Sequence, residues 1–211
     1  MINHINMTKP VHIFTIEDPV EYIYPQGVAA VSQREIGVDV KDFNTALKSA
    51  LREDPDVILV GEMRDYETIS LAITTAKTGH LVMGTLHTTS AAQTVDRIIN
   101  TCPPHAQAQV RTQVAATLKG VISQCLVPLK DGGGRVAATE ILIGTDTAMN
   151  PVRTGKCQQL NTTIQMRKSL RMHTLNSNLA ELVKSDQISK ETALEYCSDK
   201  SKMNQLLISI R

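Results

Sequence analysis

Short apolar runs alternate with amphipathic stretches along the first two thirds of the chain, and each apolar run ends in a charged or turn-forming residue. Residues 11–16 form such a run, closed by Glu17, Asp18 and Pro19, and the proline cannot extend a ladder. Asp42 offers an N-cap, and Phe43, Ala46, Leu47, Ala50 and Leu51 follow at helical spacing until Pro55 stops the pattern. Residues 57–60 are a second, fully apolar strand, terminated by Gly61 and Glu62. Asp65 caps the next predicted helix, with Ile69, Ala72, Ile73 and Ala76 on its apolar face and Gly79 as its stop. Residues 81–86 make a third strand that ends at His87.

Ser90 caps a predicted helix running towards Asn100. Pro103 and Pro104 precede a longer helix, expected to carry Val110, Val114, Leu118, Val121, Ile122 and Cys125 on one face. Asp131 and Gly132 to Gly134 read as a turn, and residues 135–143 as one more strand. Beyond about Gly144 no strand is expected. Leu175, Leu179, Leu182 and Val183 mark one helix there, and Ser189 caps another.

This alternation predicts an α/β fold, a mostly parallel sheet flanked by helices, followed by a small all-helical lobe. The expected division is residues 1–144 for the α/β core and 145–211 for the lobe.

Composition narrows the function. Apolar residues make up 42% and charged residues 20% of the 211 positions, the balance of an ordinary globular chain and not of a disordered one. A formal net charge of +1 gives no reason to expect a nucleic-acid partner. No apolar run approaches the roughly 18 residues of a membrane span, and residues 1–10 do not resemble a signal peptide, so a cytoplasmic location is expected. Cys102, Cys125, Cys157 and Cys197 lack the close pairing of zinc ligands, so no metal site built from protein ligands alone is expected.

In open α/β sheets, ligands gather at the carboxyl ends of the strands. Three successive strands here bring Glu17, Asp18 and Glu21, then Glu62, then His87 to that rim. Plainer readings exist for each. Glu17 and Asp18 suit a solvated strand end, Glu62 suits a salt bridge with Arg64, and His80 and His87 suit bonds to backbone groups. Asp56 precedes its strand and suits a turn or cap.

An acid at the end of an apolar strand serves nucleoside-triphosphate hydrolysis. One carboxylate holds Mg2+, another polarises the attacking water, and a histidine on the next strand orients the terminal phosphate. The phosphate cradle G-x-x-x-x-G-K-[ST] does not occur in the chain. Its only Gly-Lys pair, Gly155-Lys156, is followed by Cys157. A metal hydrolase built on His80 and His87 is disfavoured, because their spacing is unlike helical H-E-x-x-H.

The segment from Thr15 to Glu21 resembles the acidic box of the type II secretion and type IV pilus motor ATPases. The segment from Asp54 to Asp65 resembles their Walker B motif, and that from Thr78 to Ala91 their histidine box. Ala50 to Pro55 and Gln33-Arg34-Glu35 resemble the pilus retraction (PilT-like) branch. The resemblance runs from about residue 8 to about residue 200. It implies a RecA-like core in which Glu62 activates water and His87 senses phosphate. Glu21, with Glu17 and Asp18, would lie near metal and nucleotide, with His80 and Arg64 close by. It also implies ATP and Mg2+ as cofactors and a cytoplasmic homo-hexamer docked on an inner-membrane platform protein. Such a ring retracts pili in twitching motility, at times beside a paralogous motor.

By the same resemblance, the chain starts just after its phosphate-binding loop and lacks the preceding domain. Residues 1–10 then match the tail of the helix that follows that loop. The isolated chain is therefore expected to be inactive, with an apolar sheet edge exposed. The alternative is a non-catalytic, degenerate paralogue that binds or regulates intact motors. A further departure lies where retraction motors carry A-I-R-N-L-I-R-E: here Met149 replaces an arginine, and Pro151 is expected to break or kink the helix.

Overall fold

The computed structural model describes residues 1–209. In chain order its elements are α1 (Ile2–Thr8), β1 (His12–Glu17), β2 (Ala30–Glu35), α2 (Phe43–Ala50), β3 (Val57–Val60), α3 (Tyr66–Lys77), β4 (Leu81–Gly84), α4 (Ala91–Asn100) and α5 (Pro104–Thr117). There follow β5 (Gly120–Pro128), β6 (Arg135–Ile143), α6 (Asp146–Arg153), α7 (Leu160–Met166), α8 (Leu175–Lys184), α9 (Lys190–Tyr196) and α10 (Lys200–Ile208). These elements pack into two compact units, one of Met1–His87 with Asn100–Thr117, the other of Thr88–Ile99 with the described residues from Leu118 onward. The boundary expected at residue 144 falls inside the second unit, between β6 and α6.

The first unit is built on a four-stranded sheet in the order β2-β1-β3-β4, with every neighbouring pair parallel. Strand alternation splits the side chains between its faces. Phe14 and Ile16 of β1 and Ile58 and Val60 of β3 pack with Ala46, Leu47 and Ala50 of α2 and Ala72 of α3. Ile13 and Val57 face the other way and pack with Ile2 of α1. Both faces are thus covered, which is why β1 and β3 read as continuous apolar runs. Phe14, Ile16, Leu47, Ile58 and Val60 are each at most 1% exposed, and burying a side chain of this size contributes about 2 kcal/mol.

The caps follow the sequence. Asp42 accepts from Thr45 N at 2.7 Å to start α2, and Asp65 accepts from Thr68 N at 2.8 Å to start α3. Gly79, at φ 104°, reverses the chain after α3, a conformation that glycine adopts without strain.

Some elements differ from expectation. Helix α2 ends at Ala50, before Pro55 is reached. Strand β4 ends at Gly84, two residues short of the expected Leu86. The sequence reading has no strand at residues 30–35. That segment is polar on both faces because β2 is an edge strand, so it carries no apolar run. The helix expected to reach Cys125 ends at Thr117, and residues 120–128 form β5 instead. Gly120 and the alternating exposure from Val121 to Val127 mark a half-buried strand, and that period wins over helical spacing.

The second unit holds β5 and β6 as an antiparallel hairpin, separate from the parallel sheet. Val127 and Ala138 of this hairpin pack with Leu179 and Leu182 of α8, Ala193 of α9 and Met203 and Leu207 of α10. Glu140 is 4% exposed, and its Oε1 accepts from Ala91 N at 2.8 Å, at the first residue of α4. Pro151 does not break α6. It sits in the last turn, the helix continues to Arg153, and Thr154 N still reaches Asn150 O at 3.0 Å. One lost N–H near a helix end is tolerated where the ring is buried, as Pro151 is.

Candidate functional site

Because β1, β3 and β4 are parallel neighbours, their carboxyl ends lie along one rim of the first unit. After β3 and β4 the departing chain is held mainly by backbone hydrogen bonds, with one from a side chain. Gly61 N donates to Ile16 O at 2.7 Å, so β3 leaves the sheet hard against β1. A Cβ on Gly61 would lie 2.8 Å from Ile16 O and 3.1 Å from Glu17 Cα, which explains glycine at this point. Met63 N donates to Thr85 O at 3.1 Å, and the Thr85 hydroxyl donates back to Gly61 O. The turn that carries Glu62 is thereby tied to the segment after β4 that carries His87.

The result is a three-residue cluster. Glu62 Oε2 lies 2.5 Å from Arg64 Nη2, and Glu62 Oε1 lies 3.2 Å from His87 Nε2. The Glu62 side chain is 19% exposed, while those of Arg64 and His87 are 70% and 81% exposed. The acid is therefore recessed, and its two partners face solvent. The bond to Glu62 raises the Arg64 pKa above its usual value, with the Glu62 and Asp18 charges adding to the effect. Asp18 thus lies within the electrostatic reach of this cluster. The salt bridge with Arg64, the plainer reading of Glu62, is present, and it leaves the carboxylate facing an imidazole on its other oxygen.

Glu17, at the end of β1, is 8% exposed. Its Oε1 accepts from Thr15 Oγ1 at 2.7 Å and from Gln33 Nε2 at 3.0 Å. Burial raises the pKa of Tyr24, and the nearby Glu17 carboxylate raises it further. Glu21 is exposed in the loop between β1 and β2.

His80 lies apart from these residues. It precedes β4, at the opposite end of the strand, where its Nδ1 is 3.1 Å from Thr75 O and 3.0 Å from Thr78 Oγ1. This is a backbone-linked histidine at a helix end. Asp56 is also on that far edge and accepts from His12 N at 2.8 Å.

Sequence reasoning missed Gln33, Glu35 and Tyr24 as parts of the rim. The signal was the i, i+2 pairing of Gln33 and Glu35, which places both on one face once β2 is seen as a strand.

The glycine-rich segments take no phosphate-cradling form. Gly155 has φ 75° and donates to Val152 O at 3.2 Å, as a helix C-terminus does, and Gly132 to Gly134 lie in the turn between β5 and β6. Among the described residues there is no group of three or more His, Cys, Asp or Glu side chains able to hold a metal ion.

Comparison with known proteins places these observations in context. The family model described as "Type II/IV secretion system protein" matches residues 1–208. The type IV pilus retraction ATPase PilT of Pseudomonas aeruginosa is 52% identical over 195 residues, which are 92% of this chain and 56% of that protein. A twitching motility protein of Neisseria gonorrhoeae is 48% identical, over 97% of this chain and 54% of its own length. The chain therefore spans about half the length of the curated relatives it matches. Among solved structures, that of the pilus retraction motor PilT with bound ADP superposes with a TM-score of 0.89 at 47% identity, covering 97% of this chain and 58% of that one.

Proposed function

The chain belongs to the type II/IV secretion system protein family, and from that premise we propose that it forms the carboxylate rim of an ATP-driven motor for type IV pilus retraction and twitching motility. The observation that carries this reading is the recessed Glu62, held between His87 at 3.2 Å and Arg64 at 2.5 Å beside the end of β1.

In this reading Glu62 polarises the water that attacks the terminal phosphate. The imidazole of His87 keeps the carboxylate turned outward and meets the phosphate as charge develops on it. Arg64 offsets the charge of the recessed acid between turnovers. Asp18 and Glu21, both exposed, would offer hard oxygen donors on the β1 side of the rim, with the buried Glu17 bonded to Thr15 and Gln33. That donor set suits Mg2+, which takes one or two carboxylates together with waters and phosphate oxygens. When bound, the ion would draw negative charge from the phosphates. The backbone N–H groups and lysine that cradle the phosphates would come from a segment of the motor outside these residues.

The assembly proposed is a homo-hexamer on the cytoplasmic side of the inner membrane, docked on the pilus platform protein and able to work beside a paralogous motor. No described helix is long and apolar enough to cross a membrane, and attachment through a protein partner meets that constraint.

The test is MgATP turnover. The 211-residue chain alone should hydrolyse no faster than its Glu62→Gln variant. The same chain placed behind a segment carrying G-x-x-x-x-G-K-[ST] should turn over. Hydrolysis by the isolated chain above that control contradicts the reading.

A further inference from the structure

We propose that Gln33 and Glu35 are positioning residues for Glu21, clamping the backbone on both sides of it to β2. The inference rests on the proposed role of Glu21 for its functional arm only.

Gln33 and Glu35 are two apart on β2 and share a face of the strand. Ahead of Glu21, Glu35 Oε2 accepts from Val20 N at 2.9 Å. Behind it, Gln33 Nε2 donates to Tyr22 O at 3.0 Å, and Gln33 Oε1 accepts from Tyr24 N at 3.2 Å. The same Nε2 also donates to Glu17 Oε1 at 3.0 Å. One amide therefore joins the buried acid at the end of β1 to two backbone groups of the loop. The strand register pairs Thr15 with Gln33 and Glu17 with Glu35, so the loop leaving β1 folds back onto the strand beside it.

Tyr22 and Ile23 are exposed, and the apolar anchor of the loop comes later, where Tyr24 packs against the cluster of Ile2, Ile13 and Val57 and meets Tyr22 edge-on. From Val20 to Tyr22 the backbone is held to β2 by the side-chain bonds of Glu35 and Gln33. Glu21 makes none of them and is left displayed, with its neighbours fixed.

The chemistry at position 33 is directional. The donor end must face Glu17 and Tyr22 O, and the acceptor end must face Tyr24 N. Glutamate at this position would set a second carboxylate against Glu17. Arg34 points to the other face of β2, where its guanidinium lies 5.8 Å from the centroid of the Phe14 ring. Arg34→Ala is therefore a control that weakens β2 without touching the loop.

The first arm is amide hydrogen exchange on the chain itself. Glu35→Ala should speed exchange at Val20 about tenfold, and Gln33→Leu should do the same at Tyr24, the scale expected for one net hydrogen bond. Glu35→Gln keeps an acceptor oxygen and should restore protection at Val20, while Arg34→Ala leaves both amides unchanged. Unchanged exchange in Glu35→Ala and Gln33→Leu overturns the proposal, as does equal loss in Arg34→Ala.

The second arm is steady-state hydrolysis in a motor that also carries a phosphate loop. There Glu35→Ala should lower kcat about tenfold or more with the nucleotide KM little changed, and Glu35→Gln should restore most of it. Faster exchange with unaltered turnover upholds the clamp and instead removes Glu21 from the hydrolytic machinery.

Discussion

The Nε2 atom of His87 lies 3.2 Å from Oε1 of Glu62, joining the segment after β4 to the turn after β3. The contact depends on two backbone departures: Gly61 pressed against Ile16 O, and Met63 bonded to Thr85 O. A recessed acid, an imidazole and a guanidinium thus meet at a rim that the parallel sheet provides.

Gly61 sets the position of that acid. In Gly61→Ala the new methyl would meet backbone atoms of Ile16 and Glu17 at 2.8 and 3.1 Å, and backbone yields less readily than a side chain. The variant should lose about 1–3 kcal/mol of stability in urea denaturation. A phosphate-loop-bearing motor with this change should lose turnover well beyond what its stability loss explains. Wild-type turnover and stability together would show that the approach of β3 to β1 is not tight.

Asp65, the N-cap of helix α3, lies three residues after Glu62. Asp65 accepts from Thr68 N at 2.8 Å and from Thr68 Oγ1 at 2.9 Å. Asp65→Ala should cost about 1 kcal/mol of stability, and Asp65→Asn less, because asparagine also caps. Chemical denaturation of the three proteins checks the order.

Three carboxyls at helix starts, Asp42, Glu191 and Asp199, have their pKa values lowered in the folded chain and so contribute to its response to acid. The Asp42 pKa is held below the ordinary 3.8 by the Thr45 N–H, and that of Asp199 by the Lys202 N–H. Glu191 is lowered by its own backbone N–H and by Ser189. A depressed folded pKa contributes stability that is complete above the unfolded value and is lost as pH falls through the folded one. Melting temperature should hold from pH 7 to about pH 5 and fall as the pH drops below 4. In an Asp42→Asn, Asp199→Asn double variant the fall should be shallower. An equal fall in both proteins would move the acid response to other groups.

Much of this arrangement was legible in the sequence. Residues 57–60 and the acid after them predicted β3 and Glu62 because a doubly covered parallel strand must be apolar throughout. Asp42 and Asp65 announced their helices through capping chemistry that acts within four residues. What escaped was non-local. Strand β2 draws its stability from pairing with β1, and its polar residues serve a loop, so neither shows as local periodicity. Strand β5 satisfies helical and strand spacing together over residues 121–125, and only its pairing with β6 decides between them. His80 and His87 look alike in sequence, but a four-residue strand sends them to opposite ends of the sheet.

The most direct measurement is the Glu62→Gln substitution in a motor that joins this chain to a phosphate-binding segment, read as MgATP turnover and nucleotide affinity side by side. Turnover should fall by about a hundredfold or more, the scale of losing a general base, with the nucleotide Kd within a few fold of the parent. Hydrolysis at the parental rate would take the catalytic carboxylate away from the end of β3.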